Sequence, residues 1–409
     1  MSCLVTLKKG EGRFLKNGGM WIYDNEIDKM EGDFENGEVV SVFDFDGYPM
    51  GKGVINLNSV IRIRMLTRDV NVSVDREFFA KRVKDAWEYR KCVMNAKDLR
   101  AARLVFGEAD RLPGIVIDRY EDVLVIECLS LGMDAFKEII VDELKKILEK
   151  DGIIIKGVFE RSDANVIKKE GLNPHKGFIG AEFDTDVEIE ENGVRYLIDV
   201  KNGQKTGFFL DQKYNRLAMQ NIVKNMHDAG MKVDALDCFT HMGTFALNCG
   251  LGGADSCLGL DISEFAVEQA ERNAKLNGLS DRVKFRCANV LDELPGLYEE
   301  GKRYDVLILD PPAFTKSRTA TKNAIKGYRE INIKGLKLVR DGGIFATCSC
   351  SHFMTEDLFK TTILQAAKSA HKRLRQIEFR TQSKDHPIMM NVDESYYLKF
   401  FIFQVCDER

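Results

Sequence analysis

A chain of 409 residues is longer than one ordinary domain of about 100 to 200 residues and implies two or three folded units. With 44% hydrophobic residues, 30% charged residues and only 7 prolines, it excludes long disordered or low-complexity stretches. The formal net charge of −4 argues against a uniformly basic nucleic-acid binder, yet Arg62–Arg103 holds 12 Lys/Arg against 6 Asp/Glu, and Lys316–Arg340 holds 8 against 1. Phosphate contacts need local positive charge of this kind, although solvated helix faces often carry it too.

The first residues carry Lys8, Lys9, Arg13 and Lys16 and contain no apolar run suited to a signal peptide or membrane span, so a cytoplasmic protein is expected. Up to about residue 70, short strands broken by glycines are predicted: Gly37–Phe45, a turn at Asp46-Gly47, Pro49–Ile55 and Val60–Leu66. Alternation in Ile61-Arg62-Ile63-Arg64-Met65 puts both arginines on one face, expected to be solvated and open to RNA. Helical spacing follows from Arg76 to about Asn95, then a hairpin of Ile115–Ile117 and Val123–Ile126, an amphipathic helix over Asp134–Glu149 and a strand at Ile153–Phe159. Beyond a second hairpin at Glu191-Asn192-Gly193, strand-like runs at 233–239, 256–262, 283–287, 304–309 and 343–348 alternate with helices, notably Glu264–Asn277 and Ala324–Val339. This is the pattern of a doubly wound, mostly parallel sheet, whose ligands bind beyond the carboxyl ends of its strands.

At those ends stand the candidate site residues. Asp237-Cys238-Phe239-Thr240-His241-Met242-Gly243 leads from the first strand into a helix, where backbone donors and Gly243 can approach a ligand closely. Asp261 ends the next strand and can accept from both hydroxyls of a ribose. A nicotinamide enzyme would use the same two elements, so they indicate an adenosine-type ligand without naming its chemistry. The loop Asp310-Pro311-Pro312-Ala313-Phe314 favours a methyl-donor cofactor: two prolines fix its shape and remove two donors, turning carbonyls and a carboxylate to one side of a pocket. Asn289 is placed to meet an adenine edge. In Gly203–Gln212 the aromatics suit a core and a cofactor wall equally. The ten cysteines show no C-x-x-C pair, most are expected to be reduced packing residues, and no metal is expected.

These residues resemble the bacterial class I methyltransferases that make 5-methylcytosine in large-subunit ribosomal RNA and carry a PUA domain in front. Trp21–Ile27 is similar to the PUA entry motif, Phe106–Gly114 to the middle domain, and Thr206–Gln212 to the segment before the Rossmann-like part. Gly19 and Met20 depart from the family's His-Pro, Thr244 from a frequent second glycine, and Ala313 from the second cysteine of many RNA cytosine methyltransferases. The resemblance implies an α/β chain: a PUA-like RNA-binding domain over 1–70, a small α+β middle domain over 71–186, and over 187–409 a Rossmann-like class I methyltransferase domain with a seven-stranded, mostly parallel sheet. It implies S-adenosylmethionine held by Asp237, Phe239, Gly243, Asp261, Ile262, Asn289, Asp310, Pro311, Phe208 and Gln212. Large-subunit ribosomal RNA would be held by Trp21, Arg62, Arg64, Lys316 and Arg318, and a homodimer is expected.

Cytosine carbon 5 is a poor nucleophile until a thiolate adds at carbon 6, so this chemistry requires a cysteine. Within Thr347-Cys348-Ser349-Cys350-Ser351 the resemblance assigns that role to Cys350, with Cys348 its nearest rival, and Asp310 is expected to hydrogen-bond or protonate ring nitrogen 3. Guanine methylation without a cysteine and a non-catalytic RNA-binding or assembly factor are the competing readings.

Overall fold

Runs of alternating apolar residues over residues 4–67 form a six-stranded sheet in the computed structural model, which describes residues 3–314 and 321–408. Its strands lie in the order Trp21–Tyr23, Ile61–Thr67, Pro49–Ile55, Val39–Phe43, Leu4–Leu7 and Ile27–Glu31. Val5, Leu7, Ile22, Val42, Ile55 and Ile63 fill its core. A five-stranded sheet follows in the order His175–Phe178, Gly157–Ser162, Val123–Cys128, Ile115–Tyr120 and Ala101–Phe106. The helices Arg76–Val93 and Lys137–Lys150 bury Phe79, Val83, Trp87, Ile140 and Leu144 in the core of this second sheet. Asp75 caps the first of them by accepting from the Phe78 amide at 3.0 Å. The helix expected over Asp134–Glu149 is broken into Leu131–Asp134 and Lys137–Lys150, and Phe136 at the break turns its ring onto Phe79, 4.7 Å between centroids.

Contacts divide the chain into two units. The first runs to Ile189 and adds Ile198–Leu210 and Lys384–Ser395; the second comprises Glu190–Leu197, Asp211–Ser383 and the segment from Tyr396 onward. Lys384–Ser395 joins the first unit through Arg90, which is fully buried and donates to the Asp385 carbonyl at 2.8 Å while pairing with Asp110 at 2.5 Å. The hairpin Asp186–Glu191 and Val194–Asp199 turns at Asn192 and Gly193, both with positive φ, as a two-residue hairpin loop requires.

One expectation for the first unit is corrected. The arginine face of Ile61–Thr67 is covered: Arg64 is only 8% exposed and donates to Glu170 at 2.8 Å, with Glu108 3.7 Å away. Asn56 and Ser59 also donate to the Glu170 carboxylate, so this cation, predicted to bind RNA, ties the loop Asn165–Glu170 to the first sheet. Trp21, also predicted to meet RNA, gives its indole N–H to Glu108 at 2.9 Å and lies 5.3 Å from the Arg64 guanidinium. Arg62 is half-buried, donates to the Asn56 carbonyl at 3.2 Å and faces Asp24 at 4.0 Å. Alternation specified a face but not the loop that covers it.

The second unit is a seven-stranded sheet. Its strands are β1 (Asp234–Cys238), β2 (Ser256–Asp261), β3 (Val283–Cys287), β4 (Tyr304–Leu309), β5 (Val339–Ser349), β6 (Lys372–Arg380) and β7 (Lys399–Asp407). They run in the order β3-β2-β1-β4-β5-β7-β6; the first five are parallel, while β7 is antiparallel to β5 and β6. Order reverses after β1, so the crevice between the ends of β1 and β4 is the topological switch point. Six helices flank the sheet: α1 (Lys213–Asp228), α2 (Thr244–Leu251), α3 (Glu264–Leu276), α4 (Val290–Glu299), α5 (Thr321–Leu338) and α6 (Glu356–Ser369). Leu236, Leu307, Tyr328, Ile331, Phe345, Phe359 and Phe401 build one core on one side of the sheet's central strands. Among the described residues no helix is long and apolar enough to cross a membrane. No cluster of three or more His, Cys, Asp or Glu suited to a metal occurs among them either.

Candidate active site at the strand ends

The loop leaving β1 is the most strained segment of the site. Phe239 and His241 take φ of 66° and 51°, and Gly243 follows at 84°. Left-handed backbone at two non-glycine residues is held only where surroundings fix it. Here the His241 amide donates to Asp261 Oδ2 at 2.9 Å and the Thr240 amide to the Leu260 carbonyl at 2.9 Å, fastening the loop to the end of β2. The Phe285 ring packs beneath, and a Cβ on Gly243 or Gly259 would come within 2.7 Å or 2.5 Å of it.

Asp237 is fully buried below this loop. Its Oδ2 accepts from the Thr240 hydroxyl and from the Ala246 amide at 2.9 Å, while Oδ1 has no partner among the described residues. Burial, with Asp310 and Asp261 adding repulsion, pushes its carboxyl up to about 7. A buried acceptor left over at a strand end is what a ligand donor would complete.

Asp261 accepts from the His241 and Ser263 amides at 2.9 and 3.0 Å and stays partly exposed, leaving lone pairs for ribose hydroxyls. Beside it Ile262 is 71% exposed, an apolar surface that a flat base would cover. These features fit an adenosine group bound across the end of β2. Asn289 is already engaged: it caps α4 by accepting from Leu291 at 3.1 Å and donates to Asp292 at 2.7 Å, so its predicted adenine contact competes with the cap. Phe208 is buried within the first unit, where its carbonyl accepts from Tyr120 at 3.5 Å, which agrees with the core reading of that aromatic.

Across the switch point lies the acid. Asp310 is half-buried at the end of β4, and its Oδ1 accepts from the Cys348 thiol at 2.7 Å and the Gln212 amide at 3.2 Å. Gln212 is oriented in turn by Asn215, which donates to its Oε1 at 2.6 Å. Desolvation dominates over these donors and pushes the Asp310 carboxyl up to about 6, with Asp211 raising it further and Arg216 opposing. Arg216 is itself buried in a two-pronged pair with Glu191, at 2.6 and 3.0 Å.

The two cysteines separate sharply. Cys348 is fully buried, donates to Asp310, and its thiol is pushed up by burial and by that carboxylate. Cys350 is partly exposed just past β5, with its sulfur 3.9 Å from the Pro311 carbonyl of the same loop. Phe314 closes the other end of that loop by packing on Tyr328 of α5, 4.7 Å between ring centroids. Lys316 and Arg318 lie outside the described residues.

One group went unnoticed in the sequence: Lys399, buried on β7 and paired in register with Ser349. Its signal was a lysine within the apolar run Leu398-Lys399-Phe400-Phe401-Ile402-Phe403.

Comparison with known proteins agrees with this geometry. Residues 5–68 match a PUA-like domain, and residues 175–404 match the S-adenosylmethionine-dependent methyltransferase family. A relative from Alteromonas mediterranea named ribosomal RNA large subunit methyltransferase I is 34% identical over 100% of both chains. Another of that name from Shewanella frigidimarina is 37% identical over 99% of this chain and 100% of its own. In fold, a Streptococcus mutans protein assigned to the SAM-dependent methyltransferases superposes with a TM-score of 0.81 at 19% identity, covering 99% of this chain and 100% of its own. A structure solved with S-adenosylhomocysteine bound gives 0.82 at 19% identity and the same coverage.

Proposed function

We propose that this chain, which belongs to the S-adenosylmethionine-dependent methyltransferase family and, within it, to the family of the ribosomal RNA large subunit methyltransferase I proteins, forms 5-methylcytosine in large-subunit ribosomal RNA through a covalent cysteine adduct. The observation that carries the chemistry is the pairing of a partly exposed thiol, Cys350, with a loop whose acid, Asp310, is protonable near neutral pH.

S-adenosylmethionine supplies the methyl group when bound. The residues suited to hold it are Asp237, Phe239 and Gly243 of the strained loop, Asp261 and Ile262 at the end of β2, Asn289 at the start of α4, and Pro311 with Gln212 by the acid. Cys350 adds as the thiolate to carbon 6 of the cytosine, forming a carbon–sulfur bond and moving electron density to carbon 5. Asp310 protonates ring nitrogen 3 during this addition; an acid held at about 6 matches that task better than one at the ordinary carboxylate value. After methylation water takes the carbon 5 proton, the electron pair left behind expels sulfur as the carbon–sulfur bond breaks, returning Cys350 as the thiolate, and ring nitrogen 3 gives its proton back to Asp310. Burial of Cys348 and its bond to Asp310 favour Cys350 as the nucleophile.

The base must be unstacked to reach this site, and α5 is suited to grip the neighbouring phosphates. Its buried face carries Ala324, Tyr328 and Ile331, while Lys322 and Lys326 are exposed on the other. Lys316 and Arg318 belong to the same proposal, as does the homodimer, which sedimentation of the purified protein tests. Reversing the charge of Lys322 and Lys326 should flatten the salt dependence of RNA binding by roughly 1.4 in log–log slope for single-stranded contacts, at about 0.7 per phosphate.

The decisive experiment is nucleoside mass spectrometry on unmodified ribosomal RNA incubated with protein and S-adenosylmethionine. Wild type should yield 5-methylcytosine, Cys350→Ala none, and Asp310→Asn a rate lower by about 10²- to 10⁴-fold. Methylguanosine, or 5-methylcytosine surviving Cys350→Ala, would overturn the mechanism.

A further inference from the structure

Lys399 is 1% exposed. Its ammonium donates to the carbonyls of Ser351 at 2.7 Å and Tyr397 at 2.9 Å and lies 5.4 Å from the centre of the Tyr396 ring. A buried ammonium is costly and is normally paired with a carboxylate. Among the described residues none comes within ion-pair distance of Lys399. Glu356, at the start of α6, acts on its charge from farther away and is engaged by the Tyr396 hydroxyl at 3.4 Å.

Once ionised, the sulfurs of Cys350 and Cys348 favour the charge of Lys399 more strongly than Glu356 does, and Cys350 lies next to the Ser351 carbonyl that the ammonium bonds. Cys348 is buried and committed to Asp310 as a donor, whereas the Cys350 thiol is partly exposed. The backbone geometry converges on the same residue. Lys399 pairs with Ser349 across the β5–β7 ladder and bonds the carbonyl of Ser351, so it holds the chain on both sides of Cys350.

We propose that Lys399 is the positioning residue of the Cys350 nucleophile, fixing the strand end that presents the thiol and stabilising its thiolate with a buried positive charge. The inference rests on the assignment of Cys350 made above. In the step concerned the sulfur–hydrogen bond breaks, the proton passes to water, and the electron pair stays on sulfur beside the ammonium. Lys399 stays protonated throughout. Burial draws its pKa down to about 8, so it is charged at neutral pH and the thiolate loses its counter-charge as pH rises past that value. Two tyrosines also lie on the packed elements, Tyr328, which accepts from the Ser349 hydroxyl, and Tyr396; burial pushes both upward, so they stay neutral over this range.

The test reads the thiol directly, without RNA or S-adenosylmethionine. The rate at which iodoacetamide alkylates Cys350 is followed against pH by peptide mass spectrometry, which separates it from the other nine cysteines. Lys399→Met should raise the midpoint by about one pH unit or more, a roughly tenfold loss of thiolate at neutral pH, and Lys399→Arg should return it close to wild type. Lys399→Gln, which keeps a donor for the carbonyls without the charge, should behave as Lys399→Met, and it serves if the methionine variant does not fold. Midpoints unchanged by loss of the charge, or restored by glutamine, would overturn the proposal. Because no methyl transfer is measured, this result stands apart from Cys350→Ala, which tests the nucleophile itself.

Discussion

Arg64 in the first unit and Lys399 in the second are both basic side chains removed from water on β-strands, yet their surroundings differ in kind. Arg64 meets carboxylates, Glu170 at 2.8 Å and Glu108 at 3.7 Å, and Glu170 is further satisfied by Asn56 and Ser59. Lys399 meets two carbonyls, and the charges that act on it most are those of ionisable thiols. A neutralised buried charge fixes structure and has little left to offer a ligand. One that faces neutral, ionisable groups keeps its field available to bias them. The contrast teaches that burial alone does not distinguish structural from functional cations, whereas the partners do.

The comparison can be broken at several points. The largest stability effect is expected from Arg64→Ala, which leaves Glu170 buried without its counter-charge and should cost about 3 to 5 kcal/mol in urea denaturation of the first unit. Lys399→Met strands two carbonyls but no carboxylate, so about 1 to 3 kcal/mol is expected, with a loss of methylation far larger than unfolding explains. Equal destabilisation by the two variants would mean that Lys399 is held by an ionic partner after all.

A pH effect should come next. Asp237 and Asp310 sit at about 7 and about 6 when folded, above the ordinary carboxylate value near 3.9. Between these limits the folded protein binds more protons than the unfolded chain, so these two groups make stability fall as pH rises from about 4 to 7. Asp237→Asn and Asp310→Asn should each flatten that fall in denaturation midpoints taken across the range. The smallest effect belongs to Arg62, whose 4.0 Å contact with half-exposed Asp24 is worth about 1 kcal/mol or less; Arg62→Ala should leave the urea midpoint nearly unchanged.

Much of the second unit was legible beforehand because its signals are local. The apolar runs at 283–287 and 304–309 are β3 and β4 residue for residue, and the helix expected over Ala324–Val339 is observed as Thr321–Leu338. Strand-end placement likewise put Asp237, Asp261 and Asp310 at one edge of the sheet, since a parallel strand followed by a helix fixes where its last residue points. The first unit was less transparent. Ile61-Arg62-Ile63-Arg64-Met65 alternates faithfully, but whether the arginine face meets water depends on Glu170, more than a hundred residues away.

The sequence by itself determined the order of strands and helices, the strand-end acids and the two candidate cysteines, because periodicity and turn chemistry act over a few residues. Packing of the whole chain was needed to spend Cys348 on Asp310 while leaving Cys350 partly exposed, to set Asn289 as a helix cap, and to bring Lys399 onto the Ser351 carbonyl beside Cys350. Those outcomes depend on desolvation and on which polar groups meet, and both are properties of the packed chain.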